Sequence, residues 1–517
     1  MSEGRGGEGE GEAWVLPSQP PPFPASRPSY WGDALKWGPD HLQPSAAACC
    51  DACARHEPDT AGGPRCTVWV WCGDAALCGP STGQCWLKHL PWPEAVNPRV
   101  GADVPWTSGL ASGATRPRAF AAAAIGGAER AYHVVITAAG PAVHWQVCGG
   151  RRGGKSMDRG GGESLLGRRP ATPPPPPPRQ SRVHYYHYVK QRAACRQRFG
   201  AACQMGGFTR ILHSGARDDL ATEIPTFVAA PLAAAGQSDD GYVVLNRPWA
   251  VAQWVRGVRV RERFVLMAEP DHLWLAPLPN PCPADGRPAA FPFFYIEPSK
   301  AEYRPLVERA AGRRLTLAEV ESIPPIGSAP TVMATDALAR LAPVWMNVSR
   351  AMFDDPPTRA AWGWVLEMYG FAVSTFLAAD AAPPPPGSPR RAPMHLVPRL
   401  MVQPPWDAAL DGAPILHYTY GADYALNGTA TPGLVGEWRF DKRSYGGGGT
   451  RDGASGAPPR GLAAPPAAVA VAAPAVAALV AAINEATAAI PGWDEYVATG
   501  VAGEVWGGGQ DGGGGRA

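Results

Sequence analysis

The sequence has almost no charge imbalance. Lys and Arg number 47 against 45 Asp and Glu, a formal net charge of +2 over 517 residues. That removes the electrostatic case for nucleic acid as a partner, which needs a basic patch or stripe. Long apolar runs are scarce as well. Residues 1–28 are rich in Gly and Glu and then in Pro, hold no apolar core of signal-peptide length, and read as a disordered leader. The longest apolar stretch, 463–490, is mostly Ala and Val and is interrupted by Pro474. It reads more readily as an amphipathic surface helix, inside a C-terminal helical segment at 460–496, than as a membrane span. Zinc-finger spacing is missing too. Cys50-x-x-Cys53 is followed by no second Cys-x-x-Cys or His-x-x-x-His pair, which argues against a structural zinc.

What is abundant is Gly (61), Pro (59) and, locally, cysteine. The Gly and Pro excess sits in a few low-complexity stretches, so the chain reads as an enzyme-sized folded body with disordered inserts, too long for one domain. Seven of the eleven cysteines, Cys49, Cys50, Cys53, Cys66, Cys72, Cys78 and Cys85, fall within a short span and are disulfide candidates. Such density predicts a small stapled module made in an oxidising compartment. The leader offers no visible route there; one resolution is a start, with its signal or anchor, outside this chain. Five tryptophans lie between Trp69 and Trp106, as expected where a small core needs aromatic bulk. The cysteine spacing and the pattern "TVWVWCGD…CWLK" over 29–110 resemble a PAN/apple module, which implies binding of protein or glycan.

From residue 128 to 450 strands and helices alternate, which predicts an α/β domain. "YHVVIT" (132–137), "TRILHS" (209–214), "IPTFVA" (224–229), "GYVVLN" (241–246), "RFVLMA" (263–268) and "FPFFYI" (291–296) read as strands. Residues 181–198, the stretch opened by Pro248, 336–353 and 358–378 read as helices. A basic, Gly- and Pro-rich stretch at 147–180 breaks this pattern. It is either an insertion that splits a helix, since "HWQ" (144–146) would otherwise continue into 181–198, or an error in the gene model. A shorter loop insert lies at 381–393, and 497–517 is a Gly-rich tail.

The stretch "FVLMAEPDHLW" (264–274) places Glu269 and Asp271 at the end of an apolar strand. Pro270 biases Glu269 to an extended conformation, and residues i and i+2 of an extended chain face the same way. Two hard oxygen ligands at the carboxyl end of a strand suit Mg²⁺ or Mn²⁺ bound with substrate phosphates. The arrangement is similar to the Asp-x-Asp element of nucleotide-sugar-dependent glycosyltransferases of the GT-A fold. His272 is either a further ligand or, the favoured reading, a group that orients Asp271 from the other face.

Longer blocks carry a specific resemblance: "GGFTRILHSG" (206–215), "GYVVLNRPWA" (241–250), "VLMAEPDH" (265–272), "FPFFYI" (291–296), "APVWMNVSRAM" (342–352), "WGWVLEMYGFA" (362–372), "VQPPWD" (402–407), "ILHYTYGADY" (415–424) and "GEWRFDKRSYG" (436–446). In this order they resemble the plant and green-algal hydroxyproline O-arabinosyltransferase family. The resemblance covers about residues 130–495. It implies a GT-A-like fold, a mixed sheet flanked by helices, behind the disulfide-rich module. It also implies Golgi residence with a membrane anchor, and metal-assisted, retaining transfer of L-arabinofuranose from a UDP-sugar donor to a hydroxyproline-rich protein. Peptidyl-serine galactosyltransferases share parts of the pattern and are the alternative. A glycan-binding protein with an inactive transferase domain is the non-enzymatic one, motivated by the insert at 147–180.

The expected roles follow. Glu269, Asp271 and His417 hold the metal, although His417 is equally readable as a core histidine. Thr137 and Ala138 line the nucleotide edge. Arg247, Lys442 and Arg443 neutralise the diphosphate, and Arg439 joins them as a catalytic cation; the alternative is a solvated basic run. Glu367, a carboxylate in the apolar "WGWVLEMYGFA", is either paired structurally or catalytic, with its pKa raised by burial to orient sugar or acceptor. Trp249, Trp254, Trp362 and Trp364 are left without a role. Asn347-Val-Ser and Asn427-Gly-Thr are glycosylation sequons.

Overall fold

The computed structural model describes residues 27–29, 33–58, 63–90, 99–101, 104–111, 128–138, 180–380, 393–419, 421–445 and 458–499. The leader before residue 27, the insert up to residue 179 with "HWQ" before it, the loop insert up to residue 392 and the tail beyond residue 499 fall outside these. The chain separates into two units, residues 1–90 with 98–114 and the remainder.

In the first unit β1 (Arg27–Ser29), β2 (Asp33–Lys36), α1 (Ala46–Ala54), β3 (Val68–Cys72), α2 (Ala75–Cys78), β4 (Cys85–His89), β5 (Arg99–Gly101) and β6 (Trp106–Leu110) follow in order. The strands β2-β4-β3-β6 form an antiparallel sheet, and β1 pairs with β5. Ser45 caps α1 by accepting from Ala48 N–H at 3.1 Å. Disulfides tie Cys49 of α1 to Cys85 of β4, Cys53 to Cys66, and Cys72 to Cys78. Cys50 departs from the expectation and is a free thiol. Seven is an odd number, so three disulfides leave one thiol over, and it is Cys50, half-buried beside Trp69. With Cys53 already bonded to Cys66, the Cys50-x-x-Cys53 pair holds no zinc.

The second unit continues with β7 (Tyr132–Ala138), α3 (Gln180–Phe199), β8 (Met205–Leu212), β9 (Thr226–Val228), α4 (Asn246–Gly257), β10 (Phe264–Ala268), β11 (His272–Trp274) and β12 (Ala289–Pro292). Next come α5 (Arg304–Ala311), α6 (Leu317–Glu321), β13 (Ile326–Ala334), α7 (Thr335–Asp354), α8 (Pro356–Trp362), α9 (Leu366–Asp380), β14 (His395–Leu396), β15 (Met401–Val402), β16 (Ile415–His417), β17 (Ala422–Tyr424) and β18 (Trp438–Phe440). The end is helical: α10 (Ala467–Ala472), α11 (Pro474–Ala489) and α12 (Trp493–Thr499). Among the described residues no single helix is long and apolar enough to cross a membrane.

A seven-stranded sheet, β14-β12-β13-β10-β7-β8-β9, carries this unit. Strands β10, β7, β8 and β9 are parallel and β13 is antiparallel to β10, so the expected mixed α/β sheet is present. Every residue of β10 is buried, as a central strand covered on both faces requires. Glu262, just before it, accepts from Gly207 N–H at 2.5 Å and meets His133 Nδ1 at 3.3 Å, fastening β10, β8 and β7 at one end. Gly207 has to be a glycine, because a Cβ there would lie 2.5 Å from His133 Nδ1. A fourth disulfide, Cys195–Cys203, closes the turn between α3 and β8. Helix α3 packs on α11, where His187 Nε2 lies 2.9 Å from Ala482 O and Lys190 pairs with Glu485 at 2.5 Å.

Three expectations need correction. Residues 241–246 are not a strand but a turn and a 3-10 turn leading into α4, because Asn246 ties the loop together, donating to Asp239 at 2.7 Å and accepting from Leu232 N–H at 3.0 Å. The strand expected at 291–296 stops at Pro292. The single helix expected at 358–378 is broken after Trp362, where Gly363 takes a positive φ of 47°.

Candidate active site

Strand β10 ends in a turn. His272 N–H donates to Glu269 O at 3.0 Å, with Pro270 at the second turn position, a place its fixed φ suits. Glu269 and Asp271 therefore do not project together from an extended chain, as the i, i+2 argument expects. Both still line one cavity of about 470 Å³ beside the end of β10, a size suited to a small ligand. Within it the two carboxylates belong to different clusters.

Asp271 forms the first with His272 and His417; one ligand atom from each lies within 4.8 Å of the others. Antiparallel pairing of β11 with β16 sets His272 opposite His417. His417 Nε2 is 3.5 Å from Asp271 Oδ2, and its Nδ1 lies 3.2 Å from Gln403 Oε1, which fixes the ring. Lys442 Nζ donates to Asp271 Oδ2 at 2.6 Å. Burial pushes the Asp271 carboxyl up, but Lys442 and His417 more than reverse this and hold it well below the usual carboxylate range. Burial, with His417 beside it, keeps the His272 ring well below its ordinary pKa and neutral. His272 Nε2 is buried and makes no hydrogen bond. The unpaired nitrogen stands next to a charged carboxylate and a second imidazole, and neutral His with Asp is a donor set that fits a divalent cation. His272 lines the same cavity as Asp271, so the turn does not send the two to opposite faces. Glu269, expected as a ligand, is not in this group.

Arg247 is the centre of the second cluster. It pairs with Glu269 at 2.8 Å and Glu367 at 2.8 Å, and its Nε donates to Thr137 Oγ1 at 3.2 Å. Glu367 is held by α9, whose first turn is fixed when Tyr242 Oη donates to Trp364 O at 2.9 Å and accepts from Glu367 N–H at 3.0 Å. Burial pushes Glu269 up to about 7 against the opposing pull of Arg247, with Asp271 and Glu367 adding to the rise. Burial also raises Glu367, again against Arg247. Burial alone would lower the Arg247 guanidinium, but Glu269 and Glu367 outweigh it and keep it charged.

The cavity thus gathers Thr137, Arg247, Glu269, Asp271, Glu367, His417 and Lys442 of the expected set. It does not gather two others. Ala138 is buried at the end of β7 and does not line it. Arg439 is on the β17–β18 hairpin, paired with Asp441 at 2.6 Å and Asp423 at 3.3 Å, and does not line the cavity. The Arg443 side chain lies outside the described ones, though its backbone is in the 3-10 turn Lys442–Tyr445. Sequence reasoning missed Gln403, which orients His417, and His184, which accepts from Trp274 Nε1 at 3.1 Å beneath β11. Gln403 lies in the block "VQPPWD", but nothing local singles it out.

Residues 178–382 match the model of the hydroxyproline O-arabinosyltransferase family N-terminal domain, residues 414–494 its C-terminal domain, and residues 29–88 a PAN domain. Among similar proteins, hydroxyproline O-arabinosyltransferase 1 of Arabidopsis thaliana is 47% identical over 299 residues, 57% of this chain and 72% of its own. Hydroxyproline O-arabinosyltransferase 3 of the same plant is 45% identical over 291 residues, 56% and 73%. Hydroxyproline O-arabinosyltransferase RDN2 of Medicago truncatula is 45% identical over 302 residues, 58% and 75%.

Proposed function

Because the chain belongs to the hydroxyproline O-arabinosyltransferase family, we propose that it transfers L-arabinofuranose from UDP-arabinofuranose to the hydroxyl of hydroxyproline, with retention, on a GT-A-type sheet. The observation that carries this is the pairing, in one cavity, of a buried Asp–His–His cluster with the cations Lys442 and Arg247. Asp271, His272 and His417 would hold Mn²⁺ or Mg²⁺, whose charge would stabilise a leaving diphosphate when bound. Lys442 stands next to Asp271 and meets the diphosphate as it departs. Arg247 is kept charged by Glu269 and Glu367 and adds a second positive group at the cavity wall. In the reaction the bond from the anomeric carbon to UDP breaks and one to the hydroxyproline oxygen forms; the hydroxyl proton leaves with UDP. Glu269 serves here as the partner of Arg247 and not as a metal ligand. Four disulfides support a secretory, Golgi-type location.

The test is UDP release with Mn²⁺. UDP-arabinofuranose and UDP-galactose are offered separately, each with a hydroxyproline-rich and a serine-rich peptide. Turnover with UDP-arabinofuranose and the hydroxyproline peptide, abolished by EDTA and by Asp271→Asn, is expected. Turnover confined to UDP-galactose and the serine peptide, or none from folded protein, overturns the reading.

A further inference from the structure

The cavity has an uncharged side as well. Phe294, two residues past β12, and Trp406, on the turn after β15, both line it. They are 55% and 51% exposed, and among the described residues of the larger unit no other Phe or Trp is exposed. Their rings meet edge to face with centroids 5.8 Å apart, and Tyr295 lies against Phe294 at 5.1 Å. Large aromatic rings left open at a cavity mouth mark a contact surface.

The turn that presents Trp406 is fastened to the Asp–His–His cluster. Gln403 N–H donates to Asp407 Oδ2 at 2.7 Å, and Asp407 N–H donates back to Gln403 O at 3.1 Å. Thr419 Oγ1 donates to Pro404 O at 2.5 Å, two residues beyond His417. The Gln403 side chain meets His417. One short turn therefore orients a member of the cluster and displays the indole, so whatever lies on Trp406 is delivered beside the reacting groups.

We propose that Phe294, Tyr295 and Trp406 form the acceptor subsite, a shelf on which the five-membered rings of a proline- and hydroxyproline-rich peptide stack while one hydroxyl enters the cavity. This rests on the arabinosyl-transfer reading above. The three side chains carry no charge, so they offer nothing to a diphosphate, whose charge is met by Lys442 and Arg247. A peptide rich in proline and hydroxyproline holds the polyproline II form before binding, with three residues per turn and no internal hydrogen bonds. Its rings are already displayed, and exposed aromatic side chains capture that form at little ordering cost. An acceptor with proline or hydroxyproline on both sides of the target is therefore preferred to a lone hydroxyproline.

The test uses the full chain and its Phe294→Ala, Trp406→Ala and Trp406→Phe variants, with Val471→Ala, exposed on α10, as the control. Binding of a hydroxyproline-rich peptide is measured by calorimetry, KM for peptide and donor by arabinose transfer, and folding by circular dichroism. Each alanine variant is expected to raise the peptide Kd and KM roughly tenfold, about 1.4 kcal/mol, with the donor KM unchanged. Trp406→Phe recovers most of the loss. Wild type is expected to prefer the peptide to a blocked hydroxyproline monomer by a similar factor. Transfer by wild type with peptide Kd and KM unmoved in both alanine variants overturns the subsite and leaves the function standing. A rise in donor KM alone assigns the rings to the sugar and also overturns it. Peptide binding that is sensitive to Trp406 but unaccompanied by transfer keeps the subsite and sinks the function. No peptide binding to folded wild type overturns both.

Discussion

Replacing Arg247 with Met should destabilise the larger unit by about 3 kcal/mol at pH 7.5. The guanidinium bridges Glu269 and Glu367, and the Glu367 side chain is 1% exposed. Removing one member of a buried ion pair costs about 3–5 kcal/mol, since the remaining charges lose their compensation. Glu269 is partly open to the cavity, so the lower end applies. The pH dependence has a definite sign. Both carboxyls stand above their ordinary range, and for Glu269, at about 7, the contribution to stability is full below about 4.5 and is lost as pH rises through 7. Without Arg247 that loss deepens, whereas near pH 5 Glu269 is largely protonated and no longer needs the cation. The difference between wild type and Arg247→Met should therefore shrink to about 1 kcal/mol at pH 5. The double variant Arg247→Met/Glu367→Gln should recover about 2 kcal/mol at pH 7.5, a coupling of the size neighbouring charges show. Urea unfolding followed by tryptophan fluorescence at both pH values supplies the numbers. A gap under about 1 kcal/mol at pH 7.5, or one that does not narrow on acidification, refutes the account.

Two further outcomes are expected. Burial pushes Glu262 up, but His133 and the Gly207 N–H bring it down to about 2, so its contribution is present above about 4.5 and is lost as pH falls toward 2. Glu262→Gln should cost about 2 kcal/mol at pH 7 and flatten the acid limb of the stability curve across that window; an unchanged limb would place the strand-fastening elsewhere. Gln403→Leu releases the His417 ring and should weaken Mn²⁺ binding about 10–100-fold, measured by titration calorimetry. Unaltered affinity would remove His417 from the ligand set.

Much of the larger unit was legible because its elements are set locally. The uninterrupted apolar run of β10 and the long amphipathic helix α7 needed no tertiary information. The segment 241–246 misled because "YVV" favours strands, while the bonds of Asn246 to Leu232 and Asp239 are invisible until the loop closes. At the site, the sequence pointed to the acids but not to their separation. The turn from Glu269 to His272 sends Glu269 to Arg247 and Asp271 to Lys442. Gln403 and Trp406 owe their importance to β15 lying beside β16, a pairing no local pattern encodes. Cys50 was misassigned because neighbouring cysteines look alike until the face of α1 is known.

Lys442 gives the Asp271 pocket an internal counter-ion. A carboxylate whose charge burial would otherwise disfavour is already paired at 2.6 Å. Cation binding there would consequently be an exchange. The newcomer competes with a tethered ammonium for one oxygen, and its success depends on that rivalry as much as on the imidazoles. A displaced ammonium would stay tethered to its 3-10 turn, beside the cavity it lines. Loading the site and arming it for an anionic group would be the same event, and a substrate phosphate arriving together with its cation would find both halves of its counter-charge ready.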